Sequence, residues 1–539
     1  MTMKRIFPTL SQIGFLCIYI ASVFSSAYFL DIINHKREEY KLTQNKPLEN
    51  APPELVLATT ALGGLRGFII DYLWLRATEL RNKGSNYEII QLYDWIGKLE
   101  PRIADVWSFT SAEMAYNISI TMPTHQDRWR WIYKGIEQLR DLGLHYNQNM
   151  PKLYWELGYL IYDKIEVNSL DEYHLYYQME WFDLWNNALS GYSVQELAKA
   201  HKDWNALTQE PDVTSLLKAF SDDRIDILKE FSKPKEENEK KIQDIVRLPK
   251  NQVAFSLISR FLIADKIRKE LKMNPQKMYE MEREYGELDW RLAAAHSLYW
   301  AKEGLRVVEA FPKFRESSIH RNLHRLQYIS LKRSFEYGKY LTSTPHRIVC
   351  IPNFSLLDTL HSTYEEIGQK WGLELGLESH QDFLEQAIKK CYLYNQRSRA
   401  EKYFEILRKK FRHPDYKLDL DNFVIRDIAR TIQTGTQHTV ENYIVAKQVE
   451  AYHSLLSGIP DEYEGQTRLV LTLYNRYRER HGTEELNLFE RARPLEYFQN
   501  AAVKLIQKNL ETKVGKKDLP TIWQNIVKQF PVFAKFSNP

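Results

Sequence analysis

The chain has 539 residues, of which 44% are hydrophobic and 27% are charged, and its formal net charge is +4. This composition is typical of a globular protein and excludes a disordered chain, and the near-neutral balance argues against a nucleic-acid-binding face. Three cysteines occur without a C-x-x-C pair, which argues against a cysteine zinc site. The length exceeds one ordinary core and predicts several domains or one extended array of repeats.

The first predicted element is an apolar run from Ile13 to Leu30, which follows Lys4 and Arg5. Its 18 residues are just enough to cross a bilayer core of about 30 Å as a helix. Two interpretations compete, an uncleaved signal anchor and a signal peptide cleaved after Ala27. We favour the anchor because apolar residues continue through the possible cleavage site.

An anchor with a short basic head leaves the large domain outside the cytoplasm, so we predict a single-pass membrane protein whose bulk is extracytoplasmic. The predicted boundaries are 1–12 for a cytoplasmic head, 13–33 for the transmembrane anchor and 34–53 for a linker. A second apolar run, Leu55 to Leu65, is too short to span a membrane. Together with Gly67 it indicates either close packing inside a membrane or a first helix outside it.

Helix-pair spacings of the tetratricopeptide type follow the linker, in a domain predicted to cover 54–232. In the first unit, Trp74 precedes Gly84 and Tyr87, and Pro101 follows the second helix. The other positions that fit the motif are Trp107, Tyr154, Leu157, Gly158, Ala400 and Phe404. Because each unit of this kind is a helix pair, the pattern predicts an all-α, right-handed solenoid.

A charged stretch, 233–250, predicts a hinge that separates the first domain from a middle helical region, 251–345. A C-terminal region of helical repeats and a cap is predicted for 346–539. Prolines around an apolar run favour one short extended segment at Thr342–Phe354. The last predicted helices lie near 422–435, 438–456, 463–480, 494–511 and 518–530.

Short motifs rich in aromatic residues and glycine are spread along the chain. They include Leu62-Gly-Gly-Leu-Arg-Gly-Phe, Asp71-Tyr-Leu-Trp-Leu-Arg-Ala, Leu99-Glu-Pro-Arg, Met114-Ala-Tyr-Asn and Gly286-Glu-Leu-Asp-Trp-Arg-Leu. In these motifs the chain resembles an uncharacterised group of N-terminally membrane-anchored bacterial proteins with degenerate tetratricopeptide-like helices. The resemblance spans about 54 to 420 and implies an architecture and a cell-envelope setting, but no catalytic residue.

The densest block of polar and aromatic residues holds Asp289, Trp290, Arg291 and His296. A glycan hydrolase could use Asp289 as an acid and Trp290 as a platform for a sugar ring. Such enzymes need a second carboxylate across the bond, and none can be paired with Asp289 from sequence. The structural alternative is a tight turn at Gly286, with Asp289 capping the next helix.

A second candidate cluster consists of Asp163, Asp171 and His174, of which the last two share a helix face. These residue types could bind a metal or perform acid–base chemistry. The alternative is that Asp171 caps a helix and that His174 is hydrogen-bonded between units. No nucleotide-binding loop, H-E-x-x-H or G-x-S-x-G motif occurs, so we predict neither a cofactor nor a metal.

The leading hypothesis is a membrane-anchored scaffold that binds a protein or peptide partner in the cell envelope. The alternatives are an α-helical protein that binds or hydrolyses envelope glycan, and a structural subunit of a membrane complex. Two carboxylates in one cleft would favour the glycan hydrolase. An exposed apolar patch on residues 55–75 would favour the membrane complex.

Overall fold

The computed structural model describes residues 66–166, 171–232, 236–344, 347–426, 436–481 and 492–536, together with isolated positions between 21 and 36. The described part is mostly helical, which confirms the predicted all-α class. The chain divides into two compact units, Met1–Pro101 and Arg102–Pro539.

In the first unit, α1 spans Arg66–Lys83 and α2 spans Asn86–Leu99. Gly84 turns the chain between them with a φ of +73°, a conformation that glycine adopts without strain. Trp74 of α1 packs on Tyr93 of α2 with ring centroids 5.7 Å apart. The helix pair predicted before Pro101 is therefore present, while its assignment to a tetratricopeptide repeat stays a prediction.

Apart from two helices of three residues, the described residues at the start of the second unit form ten helices of very different lengths. They are α3 (Ala104–Ala112), α4 (His125–Glu137), α5 (Pro151–Ile161), α6 (His174–Leu189), α7 (Val194–Ala198), α8 (Trp204–Thr208), α9 (Pro211–Asp222), α10 (Ile227–Ser232), α11 (Glu236–Val246) and α12 (Pro249–Lys269). The first three continue as π-helical segments at Glu113–Ile118, Gln138–Gly143 and Tyr162–Glu166. The third of these segments matters below, because two acidic residues of the site lie on it.

The rest of the unit is again helical. Its helices are α13 (Pro275–Tyr285), α14 (Ala293–Ala310), α15 (Ser318–Tyr337), α16 (Leu357–Trp371), α17 (Leu373–Leu393), α18 (Arg397–Lys410), α19 (Gln437–Leu456), α20 (Pro460–His481), α21 (Leu495–Val514) and α22 (Leu519–Gln529). The pair α17–α18 confirms the predicted helix pair near Ala400 and Phe404, both of which are buried. The last four helices confirm four of those predicted near the C-terminus.

One hairpin interrupts the helices where the extended segment was predicted. Strand β1, Lys339–Thr344, pairs antiparallel with β2, Arg347–Ile351, and Tyr340 lies opposite Cys350. The predicted extended segment is confirmed by β2, whereas its pairing with a preceding strand that begins at Lys339 was not predicted.

Helix α5 packs against α14 and α15, two helices that lie far along the chain. Gly158 permits the close approach: Ser297 Oγ donates to its carbonyl at 2.8 Å, and Ser330 Oγ donates to Ser297 Oγ at 2.8 Å. Leu157 and Trp107 are buried in the same core, and Tyr154 packs against it. In a solenoid each repeat contacts only its neighbours, so this contact adds long-range packing that the repeat pattern did not predict.

Two sequence predictions fall largely outside the described residues. The anchor at 13–33 is described only at isolated positions, and residues 233–235 of the predicted hinge are not described, although 236–246 of that stretch form α11. Within the described part of the chain, no helix has both the length and the apolar character needed to cross a membrane.

Candidate functional site

The block around Asp289 follows a sharp turn at Gly286, whose φ of +118° ends α13. Asp289 accepts hydrogen bonds from Arg291 Nε at 2.8 Å and Arg291 Nη2 at 2.7 Å. The backbone N–H groups of Arg291 and Tyr340 also donate to it, at 3.1 and 3.3 Å. Both carboxylate oxygens are therefore engaged in fixing the turn and the hairpin.

Trp290 and His296 are core residues, 2% and 0% exposed. Trp290 Nε1 donates to Glu282 Oε1 at 2.8 Å, and His296 Nε2 donates to the Trp290 carbonyl at 2.6 Å. Because that carbonyl can only accept, His296 Nδ1 carries the lone pair, and it faces Met273 Sδ at 3.2 Å. Burial lowers the pKa of His296 to about 3, so the ring is neutral near pH 7.

Two further tryptophans complete this packing. The rings of Trp181 and Trp185 lie 5.0 and 4.1 Å from the His296 ring, centroid to centroid. The structure thus brings all four predicted residues together, but inside a tryptophan-lined core. Trp290, the predicted sugar platform, has no open face there.

The prediction that Asp289 caps α14 is wrong. No side chain of the preceding turn caps α14, and Ala294 N donates instead to Glu166 Oε2 at 3.0 Å. Asp289 caps nothing there, because its oxygens are taken by Arg291 and by the backbone of the turn and hairpin.

Glu166 is the residue that the sequence did not single out. It is buried at the end of the π-helical segment after α5, and its Oε1 accepts from Arg333 Nε at 2.9 Å. Arg333 Nη2 also donates to the Glu166 backbone carbonyl at 3.0 Å. Burial raises the pKa of Glu166 and Arg333 opposes that shift, so this ion pair depends on both partners staying in place.

The second predicted cluster lies beside this pair. Asp171 accepts from the backbone N–H of Tyr173 and from the hydroxyl of Tyr177, each at 3.1 Å, at the start of α6. His174 is buried, and burial followed by the charge of Arg333 lowers its pKa. The prediction that Asp171 caps this helix is wrong, because the N-cap of α6 is Tyr173 and no side chain caps it; Asp171 instead fixes the turn that precedes the helix.

Asp163 faces a different neighbour. Burial, followed by the charge of the Asp163 carboxylate, raises the pKa of Tyr116 on the π-helical continuation of α3. Lys164, next in the chain, lies over the Tyr116 ring at 4.7 Å. In the portion of the chain that the structure describes, no group of three or more His, Cys, Asp or Glu side chains is placed to hold a metal ion.

Cys350 of β2 connects the two predicted clusters. The charges of Glu166 and Asp289 both act on its thiol, and burial raises its pKa to about 12. Cys350 and Cys391 are both free thiols. Asp289 and Glu166 thus act on one buried thiol, and each of the two carboxylates is paired with an arginine.

The first unit offers a different kind of surface. Phe68, Tyr72 and Leu75 are 76%, 65% and 72% exposed, and their spacing of i, i+4 and i+7 places them on one face of α1. We call this set the α1 face. The opposite side of α1, including Leu73 and Ala77, is buried. Three large exposed apolar residues in one row are unusual on a protein surface and indicate a binding surface.

The character of α1 changes along its length. Beyond Leu75 the exposed side becomes charged: Arg76 Nη1 pairs with Glu79 Oε2 at 2.6 Å, and Lys83 Nζ pairs with Glu79 Oε1 at 2.5 Å. The N-terminal half of α1 therefore has an exposed apolar row as well as the apolar side that packs on α2, and the C-terminal half is apolar only where it packs on α2.

Comparisons with known proteins found no match. No protein-family model matches the chain, and neither a curated protein nor a solved structure matches it.

Proposed function

We propose that the chain is a membrane-associated helical scaffold that binds a partner protein through the α1 face. The observation that carries the proposal is the exposed row Phe68, Tyr72 and Leu75. This row lies within residues 55–75, where an exposed apolar patch was expected to favour a subunit of a membrane complex, so the proposed partner is a protein of such a complex. Anchors at i, i+4 and i+7 are how an amphipathic helix inserts into an apolar groove of another protein. The partner that fits is therefore a protein with an apolar groove or an apolar helix.

The flanking charges favour a protein over a lipid surface. Helices that lie on membranes carry Lys and Arg beside their apolar face. Here the exposed Asp71 lies on one side of the row, and Glu79 continues it. Glu79 is paired with Arg76 and Lys83, so Asp71 is the carboxylate that an anionic bilayer would repel and to which a protein groove can offer a donor.

The setting of this scaffold comes from sequence. The predicted anchor at 13–33, the linker at 34–53 and the apolar run at 55–65 lead directly into α1, so the α1 face would lie near the membrane. Tetratricopeptide-like stacking and an extracytoplasmic location in the cell envelope belong to the same proposal. The helix pairs of both units and the resemblance to anchored bacterial proteins support it.

The glycan alternative has less support. Asp289 is engaged by Arg291, Glu282 is bonded to Trp290, and Trp290 is buried. A hydrolase needs one carboxylate free to donate a proton and a sugar platform open to substrate. Neither condition is met at this block.

Photocrosslinking in native membranes tests the proposal. A photoreactive amino acid at position 72 should give a discrete protein adduct, and Phe68→Ser with Leu75→Ser should abolish it. Because both side chains are exposed, the double variant should unfold at nearly the same temperature as the parent chain. Each buried apolar anchor contributes roughly 2 kcal/mol or more at such interfaces.

A matched control uses exposed apolar residues elsewhere. Tyr497 and Leu505 of α21 are each 46% exposed, and Tyr497→Ser with Leu505→Ser should leave the adduct intact. A lipid adduct alone, or a protein adduct that persists in the α1 double variant, would contradict the proposal.

A further inference from the structure

Two histidines on one face of α15 bring their ring nitrogens together. His320 and His324 are spaced i and i+4, and their Nε2 atoms are 3.1 Å apart. His320 is buried and His324 is half-buried, and the pair lies where α15 meets the end of α16. We call these two residues the histidine pair.

The other nitrogen of each ring is fixed by an acceptor. His320 Nδ1 lies 2.5 Å from the Arg315 carbonyl, which can only accept, so His320 Nδ1 carries the hydrogen. His324 Nδ1 lies 3.1 Å from Gln327 Oε1, and the Gln327 amide nitrogen donates to the Tyr285 hydroxyl at 2.9 Å. Because the Gln327 amide nitrogen points to Tyr285, its Oε1 atom points to His324 and accepts a hydrogen bond. His324 Nδ1 therefore also carries a hydrogen and donates.

It follows that both Nε2 atoms present lone pairs to the same point. The Lys370 ammonium lies at this point, with Nζ 3.2 Å from each Nε2 atom. An ammonium has several N–H donors and can bond to both rings at once. The pair His361 and His380 is different, because His361 Nδ1 and His380 Nε2 bond directly at 2.9 Å and one ring donates to the other.

Two neutral imidazole nitrogens at this spacing also fit a transition metal. Zn–N bonds of about 2.0–2.1 Å, closing on donors 3.1 Å apart, give an N–Zn–N angle of roughly 98°. The Nδ1–H bonds to a carbonyl and an amide are the outer contacts that orient histidine ligands in metal sites. Trp371 packs edge-on against His320, centroids 5.0 Å apart, and helps to hold that ring in place.

We propose that His320 and His324 chelate one divalent transition-metal ion through their Nε2 atoms, and that the exposed Lys370 side chain occupies this point when no metal is bound. Two protein ligands leave the remaining coordination positions to solvent or to a further ligand. Imidazole donors suit Zn²⁺, Ni²⁺ and Cu²⁺, with Cu²⁺ held most tightly of the three.

The protonation state of the His320 and His324 rings is compatible with this metal site. Burial is the largest cause that lowers the pKa of each, that of His324 to about 4, and the charge of Lys370 lowers both further. Both rings are thus neutral near pH 7, as metal ligands must be.

The test is metal binding by the full chain in detergent after treatment with a chelator. Calorimetric titration with Zn²⁺ should show a site that His324→Ala weakens at least tenfold, in line with the roughly 10–100-fold losses seen even for outer contacts. With Cu²⁺, electron paramagnetic resonance should report two nitrogen ligands in the parent chain and at most one in the variant.

Lys370→Met provides the sharper test because Lys370 is exposed and its replacement leaves the packing intact. Removal of the competing ammonium should tighten Zn²⁺ binding. His438→Ala, a change at an exposed histidine of α19, should leave binding unaltered. Unchanged Zn²⁺ binding in His324→Ala, or weaker binding in Lys370→Met, would overturn the proposal. Binding of inorganic phosphate that requires Lys370 would do so too, because the cluster would then be an anion site.

Discussion

His296 should make the stability of the chain depend on pH. The ring is neutral in the folded chain because burial lowers its pKa from 6.5 to about 3. Its unprotonated Nδ1 faces only Met273 Sδ, a weak acceptor that could not stabilise a charged ring. Acidification therefore favours the unfolded state, in which the same ring takes up a proton freely.

The magnitude follows from the two pKa values. Because folding lowers the pKa, the contribution of His296 is fully present above pH 6.5 and is lost as the pH falls from 6.5 toward 3. Between pH 8 and pH 5 the loss is about 2 kcal/mol, since at pH 5 the unfolded ring is protonated and the folded one is not. The loss of about 2 kcal/mol is nearly the same for any pKa of His296 in the folded chain below about 4.

The assay compares the parent chain with His296→Phe by urea unfolding, followed by tryptophan fluorescence. At pH 8 the variant should be less stable by about 1–3 kcal/mol, because the Trp290 carbonyl loses its donor. At pH 5 that difference should shrink by about 2 kcal/mol. Other buried histidines are present in both proteins, so their effects cancel in the comparison.

Met273→Leu serves as the control, because it changes the packing around the ring but keeps the histidine. It should retain the pH dependence of the parent chain. Equal pH dependence in the parent chain and in His296→Phe would refute the assignment of a neutral, buried His296.

Three further outcomes follow from the packing. Gly158→Ala should destabilise the second unit by about 1–3 kcal/mol in thermal unfolding, because its Cβ would lie 2.9 Å from a Leu326 methyl, whereas Gly67→Ala, with no atom within 4 Å, should be neutral or stabilising. Arg333→Leu should cost about 3–5 kcal/mol in urea unfolding by leaving Glu166 buried without its cation, and adding Glu166→Gln should recover part of that loss. Cys350 should resist alkylation at pH 8 until the chain unfolds, as judged by mass spectrometry, because burial raises its pKa to about 12.

Helices were predictable because their signals are local. Proline at the first turn of α5, α12 and α13 and the run of apolar residues at helical spacing identify each element without its partners. The extended segment that forms β2 was predictable for the same reason, since prolines flank a short β-branched run, but its pairing with β1 was not predicted. These local signals do not specify which helices pack against each other in the fold.

The contacts of the buried polar region could not be predicted from local sequence patterns. Glu166 and Ala294 are 128 residues apart, and Glu166 and Arg333 are 167 apart. No spacing rule links residues at such distances, so the nearest acid, Asp289, was expected to cap α14. The histidine pair, by contrast, had a local i, i+4 signal, but Lys370 comes from another helix and only the fold places it there.

The buried polar region and the two surfaces call for different roles. Inside the second unit, Asp289 and Glu166 are paired with arginines, and His296 is neutral and enclosed by tryptophans. Groups held in this way cannot exchange protons with a substrate without breaking contacts that support the fold. The α1 face has the opposite property, because its exposed apolar side chains can be covered only by a partner, and the lone pairs of the histidine pair can exchange Lys370 for the metal ion that we propose. We therefore propose binding roles for the α1 face and the histidine pair, and a structural role for the buried polar region.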